Sequence, residues 1–385
     1  MSATTAFIES CVQTTAGKAA VAGRGSRGRP RVRKLLKALE GKRNILVTTH
    51  QHPDPDALAS SLALRALLHT KLKDAKVSMS IKGRIGGGIN DAFTRHTQLD
   101  LAAWNDATLK RYDAIVLLDV QPTFAYSPLP AGVNPTAVID HHRTPGRKPQ
   151  CPFVDIRTDV GATASIIFSY FMELEMPIPP DLAASLMYAI ESDLAGAAGT
   201  PGSLDNMALS SLTLVADTNK LYQMRYVDLP QSYYQAYYNG LNNALFYGST
   251  TLTTGGSTST SANDGVVFSF LDNITSLEQP AVIADFLLRF DQVQWALVTA
   301  VYDNRMVFSL RTSDPKRSAG KIARRLIRNI GEGGGHRTKA GGFARLENGT
   351  PTEIERLRTI MRRRLLRALK IKMSRGQKLV DPREA

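Results

Sequence analysis

Eight side chains in this sequence have the types and the order of a site for hard divalent cations. His50, Asp54 and Asp56 stand in HQHPDPD, directly after the apolar run NILVTT (44–49). Asp119 ends AIVLLD, Asp140-His141-His142 ends TAVID, and Asp193 lies in AIESDLAG. Carboxylate oxygens suit hard cations, and imidazole suits Mn, Fe or Zn. Several carboxylates crowded on one edge would repel one another, and a pair of divalent cations would remove that penalty. Two cations ~3.5–4 Å apart need a bridging carboxylate and clamp an attacking and a leaving oxygen together. Pro53 and Pro55 stiffen the loop, so Asp54 and Asp56 can point at different cations. An Asp after a strand, or one DHH triplet, is common for structural reasons. The joint order of all these elements is far more specific.

Such residues converge only if the elements before them are parallel strands. NILVTT, KVSMSI (76–81), AIVLLDV (114–120) and TAVID (136–140) are apolar on both faces, as strands of a covered parallel sheet are. Helices are predicted over Ala57–Leu72, Ala164–Glu173 and Leu182–Glu191. Alternating strand and helix indicates an α/β fold with a doubly wound parallel sheet, which collects its carboxyl strand ends on one edge. The aromatic stretch SYYQAYYNGLNNALFYG is read as helix with its rings in the core. A smaller α/β unit follows, with a helix over Gln279–Phe290, a basic helix over Ala319–Ile330, the run GEGGGHRTKAGGF, and a last helix over about 352–370. The glycines at 86–88 are read as a loop. The domain reading is therefore a disordered basic arm (1–35), a first α/β domain (36–210), a helical linker (211–260), a smaller α/β domain (261–370) and a basic tail (371–385).

The chain has 385 residues, 43% of them hydrophobic, enough for two to three domains. Neither a long uncharged apolar run nor a secretory leader pattern is present, so a membrane role is not expected. The two cysteines, Cys11 and Cys151, form no CxxC pair. They are read as free thiols in a reducing cytoplasm, which leaves metal binding to His and carboxylates. The net charge of +14 sits at the ends: residues 1–43 carry +8, residues 356–385 carry +9, and the body −3. The ends are either solvated surfaces or a footprint for a polyanion.

HPDPDALAS, LLD, IDHH, ESD and GGGHRTKAGGF (333–343) together resemble the DHH phosphoesterase family, in its DHH–DHHA1 branch of RecJ-like and nano-RNase/pAp-phosphatase proteins. The resemblance covers roughly residues 40–370. It implies one Mn²⁺ on His50, Asp54 and Asp119, and another on Asp56, Asp119, His141 and Asp193, with Asp119 bridging. The HxxxDxD spacing favours His50 over His52. His142 would contact the scissile phosphate, and Asp140 would hold the histidines from behind. Hydroxide between the cations would attack phosphorus in line. Arg311 and Gly333, Gly334, Gly335 and His336 would bind substrate, the glycines forming a turn that lets backbone approach a phosphate. Family members often carry Pro after GGGH; here Arg337 follows. The donor set would also accept Mg²⁺, Co²⁺ or Fe²⁺.

The implied activity is metal-dependent hydrolysis of short RNA or DNA oligonucleotides, or of nucleotide phosphates such as pAp. The alternatives are a family II type inorganic pyrophosphatase and a non-catalytic nucleic-acid-binding module. The basic ends are candidates for contact with longer nucleic acid. Oligomeric state, a homodimer included, stays open.

Overall fold

The computed structural model describes residues 31–86, 88–144, 146–194, 201–248, 265–335, 337–371 and 375–380. The chain forms two compact units, with the main division between Val227 and Asp228. His336 and residues 1–30 lie outside the described residues.

The first unit runs through α1 (Arg31–Ala38), β1 (Asn44–Thr49), α2 (Pro55–Lys71), β2 (Lys76–Ser80), α3 (Gly88–His96), β3 (Leu101–Ala102), β4 (Ala114–Leu118), β5 (Ala137–Asp140), β6 (Phe153–Ile156), α4 (Thr163–Glu173), α5 (Pro180–Leu194), α6 (Ser203–Thr213) and α7 (Thr218–Arg225). Its six strands are all parallel, in the order β3-β2-β1-β4-β5-β6. Alternate strand residues Ile45, Val47, Val116, Leu118, Ala137 and Ile139 enter one large core with the helices. Leu46, Ile115, Leu117 and Val138 face the other way, under Leu109, Phe124, Leu129 and Val133. Burial on both faces explains why these strands read as unbroken apolar runs. The order reverses between β1 and β4, and their carboxyl ends flank the crevice where such sheets bind ligands.

Two expectations change here. Residues 31–35, assigned to the arm, belong to α1. Val32 and Leu35 are buried, and the Val32 N–H donates to the Glu173 carboxylate at 2.9 Å. Gly88 begins α3 rather than ending a loop.

The second unit runs through α8 (Gln231–Asn242), β7 (Leu245–Tyr247), β8 (Gly265–Asn273), α9 (Gln279–Leu287), β9 (Val293–Tyr302), β10 (Arg305–Thr312), α10 (Ala319–Ile327), β11 (Gly331–Gly335), β12 (Lys339–Arg345), α11 (Pro351–Leu369) and β13 (Gln377–Lys378). Its sheet has the order β11-β12-β10-β9-β8-β7-β13, antiparallel except for β8 beside β9. One face packs on α10 and α11, the other on α8 and α9. The stretch expected as a linker, 211–260, is divided. Leu212, Leu221 and Met224 enter the first core, whereas Ala236 and Phe246 enter the second. The aromatic reading of α8 also needs correction: Tyr233 is buried, but Tyr234 and Tyr238, one turn apart, are about two-thirds exposed.

Candidate metal centre

Strand register brings the first residues together. Thr49 pairs with Leu118, and Leu118 with Ile139, so His50, Asp119 and Asp140 leave three adjacent strands at one level. Asp119 is buried and has φ +57°, a left-handed conformation uncommon for a residue with a side chain. Its N–H still reaches the Ile139 carbonyl at 2.9 Å, continuing the ladder. Backbone strain of this kind gathers where a side chain must be aimed. Asp54 caps α2, accepting from the Ala57 N–H at 3.0 Å, with Pro55 at the first helical position. That cap brings Asp56 into the first turn of the helix, where it is fully buried.

The Asp119 carboxylate stands between two imidazoles. Its Oδ2 is 3.5 Å from His50 Nε2, and its Oδ1 is 3.4 Å from His141 Nε2. His50 Nε2 also lies 4.0 Å from Asp54 Oδ1, and His141 Nε2 lies 3.3 Å from Asp193 Oδ2. Three groups of donor atoms fall within 4.8 Å of one another: His50, Asp54 and Asp119; Asp56, His141 and Asp193; and Asp119, His141 and His142. The Nδ1 of His50 faces the Gln51 carbonyl at 2.9 Å, and that of His141 faces the Val160 carbonyl at 3.4 Å. With Nδ1 donating there, loss of the Nε2 proton would turn each Nε2 lone pair toward the carboxylates, as the outer partners of ligating histidines arrange.

Charge gives the fit test for cations. Burial, then the Asp119, Asp193 and Asp54 carboxylates, push the Asp56 carboxyl well above the usual carboxylate range. A divalent cation would reverse that penalty, and the mixed oxygen and nitrogen set suits Mn²⁺ or a similar ion. Burial also opposes the charged form of Asp119, but its hydrogen bond to His50 and the charges of His142 and His141 hold its carboxyl below the usual range. Burial lowers His50 and His142, yet their carboxylate partners outweigh it. His50 rises to about 9 through Asp119 and Asp54, and His142 to about 9 through Asp140 and Asp119.

His142 differs from His141. Its Nδ1 lies 2.7 Å from Asp140 Oδ1, and its backbone N–H donates to the same oxygen at 3.1 Å. Asp140 is fully buried and so fixes the ring from behind. Two residues not expected from the sequence complete this support. Gln121 Nε2 donates to Asp140 Oδ2 at 2.7 Å and to the His142 carbonyl at 3.0 Å. Thr163 donates its hydroxyl to Asp119 Oδ1 at 2.8 Å and its N–H to Asp56 Oδ2 at 2.7 Å, while the Ala164 N–H reaches Asp56 Oδ1 at 2.8 Å. The amino end of α4 thus cradles a carboxylate. Gln121 follows the Asp119 strand by two residues, a hint available only once β4 and β5 are known to be neighbours. His52 is exposed, its Nδ1 3.2 Å from the Arg84 carbonyl, and belongs to none of the donor groups.

The remaining expected residues belong to the second unit. Arg311 of β10 is engaged: Nε donates to Asp285 Oδ1 at 2.7 Å and Nη1 to Ser309 Oγ at 2.7 Å. Gly333, Gly334 and Gly335 are not a turn but the strand β11, paired with Gly342, Gly341 and Ala340 of β12. Close packing explains the glycines. A Cβ on Gly333 would stand 3.1 Å from the Phe308 ring, and one on Gly342 would stand 2.2 Å from the Glu332 carbonyl oxygen. Gly335 alone of the three has positive φ, at +144°.

Comparison with known proteins agrees with this geometry. Residues 44–190, within the first unit, match the model of the DHH family, N-terminal domain. An uncharacterised protein of Methanocaldococcus jannaschii is 27% identical over 315 residues, 81% of this chain and 60% of that protein. A probable manganese-dependent inorganic pyrophosphatase of Lactobacillus gasseri is 28% identical over 180 residues, 45% of this chain and 55% of that protein. The chain thus spans under two-thirds of either relative. The crystal structure of an exopolyphosphatase-related protein from Bacteroides fragilis shares the fold, with TM-score 0.62, 17% identity and coverage of 88% of this chain and 97% of that one.

Proposed function

We propose that this protein is a metal-dependent phosphoester hydrolase acting on short oligonucleotides or on nucleotide phosphates such as pAp. One observation carries the reading: Asp119 faces His50 with one carboxylate oxygen and His141 with the other, at 3.5 and 3.4 Å. One cation would be held by His50, Asp54 and Asp119, the other by Asp56, Asp119, His141 and Asp193. The cations, Mn²⁺ first among them, would supply Lewis acidity and neutralise charge at the phosphoryl oxygens. The chain's own groups do the rest. His142, clamped through Nδ1 by Asp140, presents Nε2 as a donor to a phosphate oxygen. Asp54 and Asp56 hold the loop after β1 in place through the start of α2. Arg311 and the glycine hairpin, read as a DHHA1-type binding unit, would bind a phosphate or a nucleotide end, the guanidinium exchanging its Asp285 and Ser309 partners for phosphate oxygens beside backbone N–H groups.

A second reading, inorganic pyrophosphatase, is favoured by the likeness of part of this chain to the Lactobacillus gasseri protein. The substrate-binding role given to β10–β12 favours the nucleotide reading. Hydrolysis of a short oligonucleotide, pAp and pyrophosphate side by side in Mn²⁺ separates the two. Mononucleotide release from the oligomer, or phosphate release from pAp, that vanishes in His141→Ala supports the proposal. Turnover of pyrophosphate alone selects the second reading, and no turnover in any divalent metal overturns both.

A further inference from the structure

In the second unit, one helix presents a solvent face made of cations alone. α10 buries Ala319, Gly320, Ile322, Ala323, Leu326 and Ile327. Left outside are Lys321, Arg324, Arg325 and Arg328, spaced i, i+3, i+4 and i+7, which is one stripe along a helix. α11 carries a second cation stripe, with Glu355 exposed beside it near the start of the helix. It buries Leu357, Met361, Leu365 and Leu366, and exposes Arg356, Arg363, Arg367 and Lys370 on the side away from them. Both helices share one apolar cluster with the same face of the sheet. Arg364 of α11 donates to the carbonyls of Leu326 (2.7 Å) and Arg328 (2.9 Å) at the end of α10. The two outward stripes therefore lie side by side, at the ~8–10 Å separation of packed helices.

A merely solvated face mixes signs, because like charges three and four residues apart repel. Some cations elsewhere on the surface do have carboxylate partners: Lys82 with Asp106 at 3.0 Å, Arg345 with Glu332 at 2.9 Å. The four cations of the α10 stripe, with Arg363 and Arg367 of α11, have no ion-pair partner among the described residues. The stripe also reaches the edge of the sheet, where Arg324 Nη1 lies 3.9 Å from the position of a Cβ on Gly334.

We propose that this helical layer binds the phosphate backbone of a nucleic-acid strand. Six of its eight exposed cations are arginines, whose planar fork matches phosphate oxygens. Cations recur along each helix and its C-cap at one to two turns, about 5–11 Å, giving a track rather than a single-anion pocket. No large exposed apolar side chain lies on either helix, whereas a helix seated on a membrane surface buries such residues in the lipid. The role goes beyond the hydrolase reading and requires no cation in the first unit.

The test is the affinity of the full chain for a labelled single-stranded DNA, longer than the proposed substrates, measured in EDTA across a range of salt. The variant carries Arg325→Gln, Arg328→Gln, Arg363→Gln and Arg367→Gln, none of which is assigned to the metal centre or the glycine hairpin. The expected result is at least a tenfold loss at low salt. The log affinity against log salt slope should flatten by ~0.7 per phosphate contact removed. The matching Arg→Lys variant should keep most of the binding, which separates lost charge from lost fold. Wild-type affinity and slope in the Gln variant, no DNA binding by the wild type, or binding to phosphatidylserine vesicles in preference to DNA would each overturn the proposal.

Discussion

The Asp119 carboxylate is the smallest part on which the account depends, because it faces both His50 and His141. Asp119→Asn should cost more than the ~10–100-fold typical of supporting residues, in metal affinity as well as hydrolysis. Gln121→Leu leaves Asp140 without its 2.7 Å donor and should fall within that ~10–100-fold range, with circular dichroism unchanged. The histidines give a pH dependence with a definite sign. His50 and His142 rise from the ordinary 6.5 to about 9 in the metal-free protein. Their stabilising contribution is complete below pH 6.5 and disappears as pH climbs through about 9. Denaturant midpoints of EDTA-treated protein should therefore decline over that window. Mn²⁺ binding needs the neutral ring of His50, so apparent Mn²⁺ affinity should rise over the same range, with proton release on binding. A flat midpoint and a flat affinity would contradict the arrangement. The donor residues were legible in the sequence because strand ends and charged side chains leave a local record. Gln121 and Thr163 were not: each acts on a carboxylate at least 19 residues away in the chain, and only tertiary packing brings them there.

At the scale of elements, β1, β4 and β5 were legible because burial on both faces leaves an unbroken apolar run. β6 was not, since FVDI is short and carries Asp155, buried against Arg157 at 2.8 Å. The glycine segment misled for a different reason. Glycine has poor strand propensity, yet β11 and β12 need it because their backbones close over Phe308. Two substitutions separate packing from binding. Gly342→Ala drives a Cβ to 2.2 Å from the Glu332 carbonyl and should destabilise the second unit by ~1–3 kcal/mol in chemical denaturation. Gly334→Ala meets nothing closer than Arg324 Nη1 at 3.9 Å, so its stability should stay near wild type. A raised KM in Gly334→Ala without loss of stability would support backbone contact with substrate there. An unchanged KM would count against it.

For the whole molecule, composition showed where the charge lies but not how the chain divides. The stretch 211–260 looked like a linker because its helices are polar and aromatic, yet its apolar residues are shared between two cores. Each core closes within its own unit, so residues 31–227 expressed alone should unfold cooperatively and keep Mn²⁺ binding, while losing what Arg311 and the hairpin add to substrate affinity. A first unit that is unfolded by itself would contradict that division. The central claim is that one carboxylate joins two cation sites. Equilibrium binding of Mn²⁺ counts them most directly. The account predicts two Mn²⁺ per wild-type chain, about one in His50→Ala, and neither held tightly in Asp119→Asn. One or no ion in the wild type, or an Asp119→Asn variant that still binds both, would contradict it.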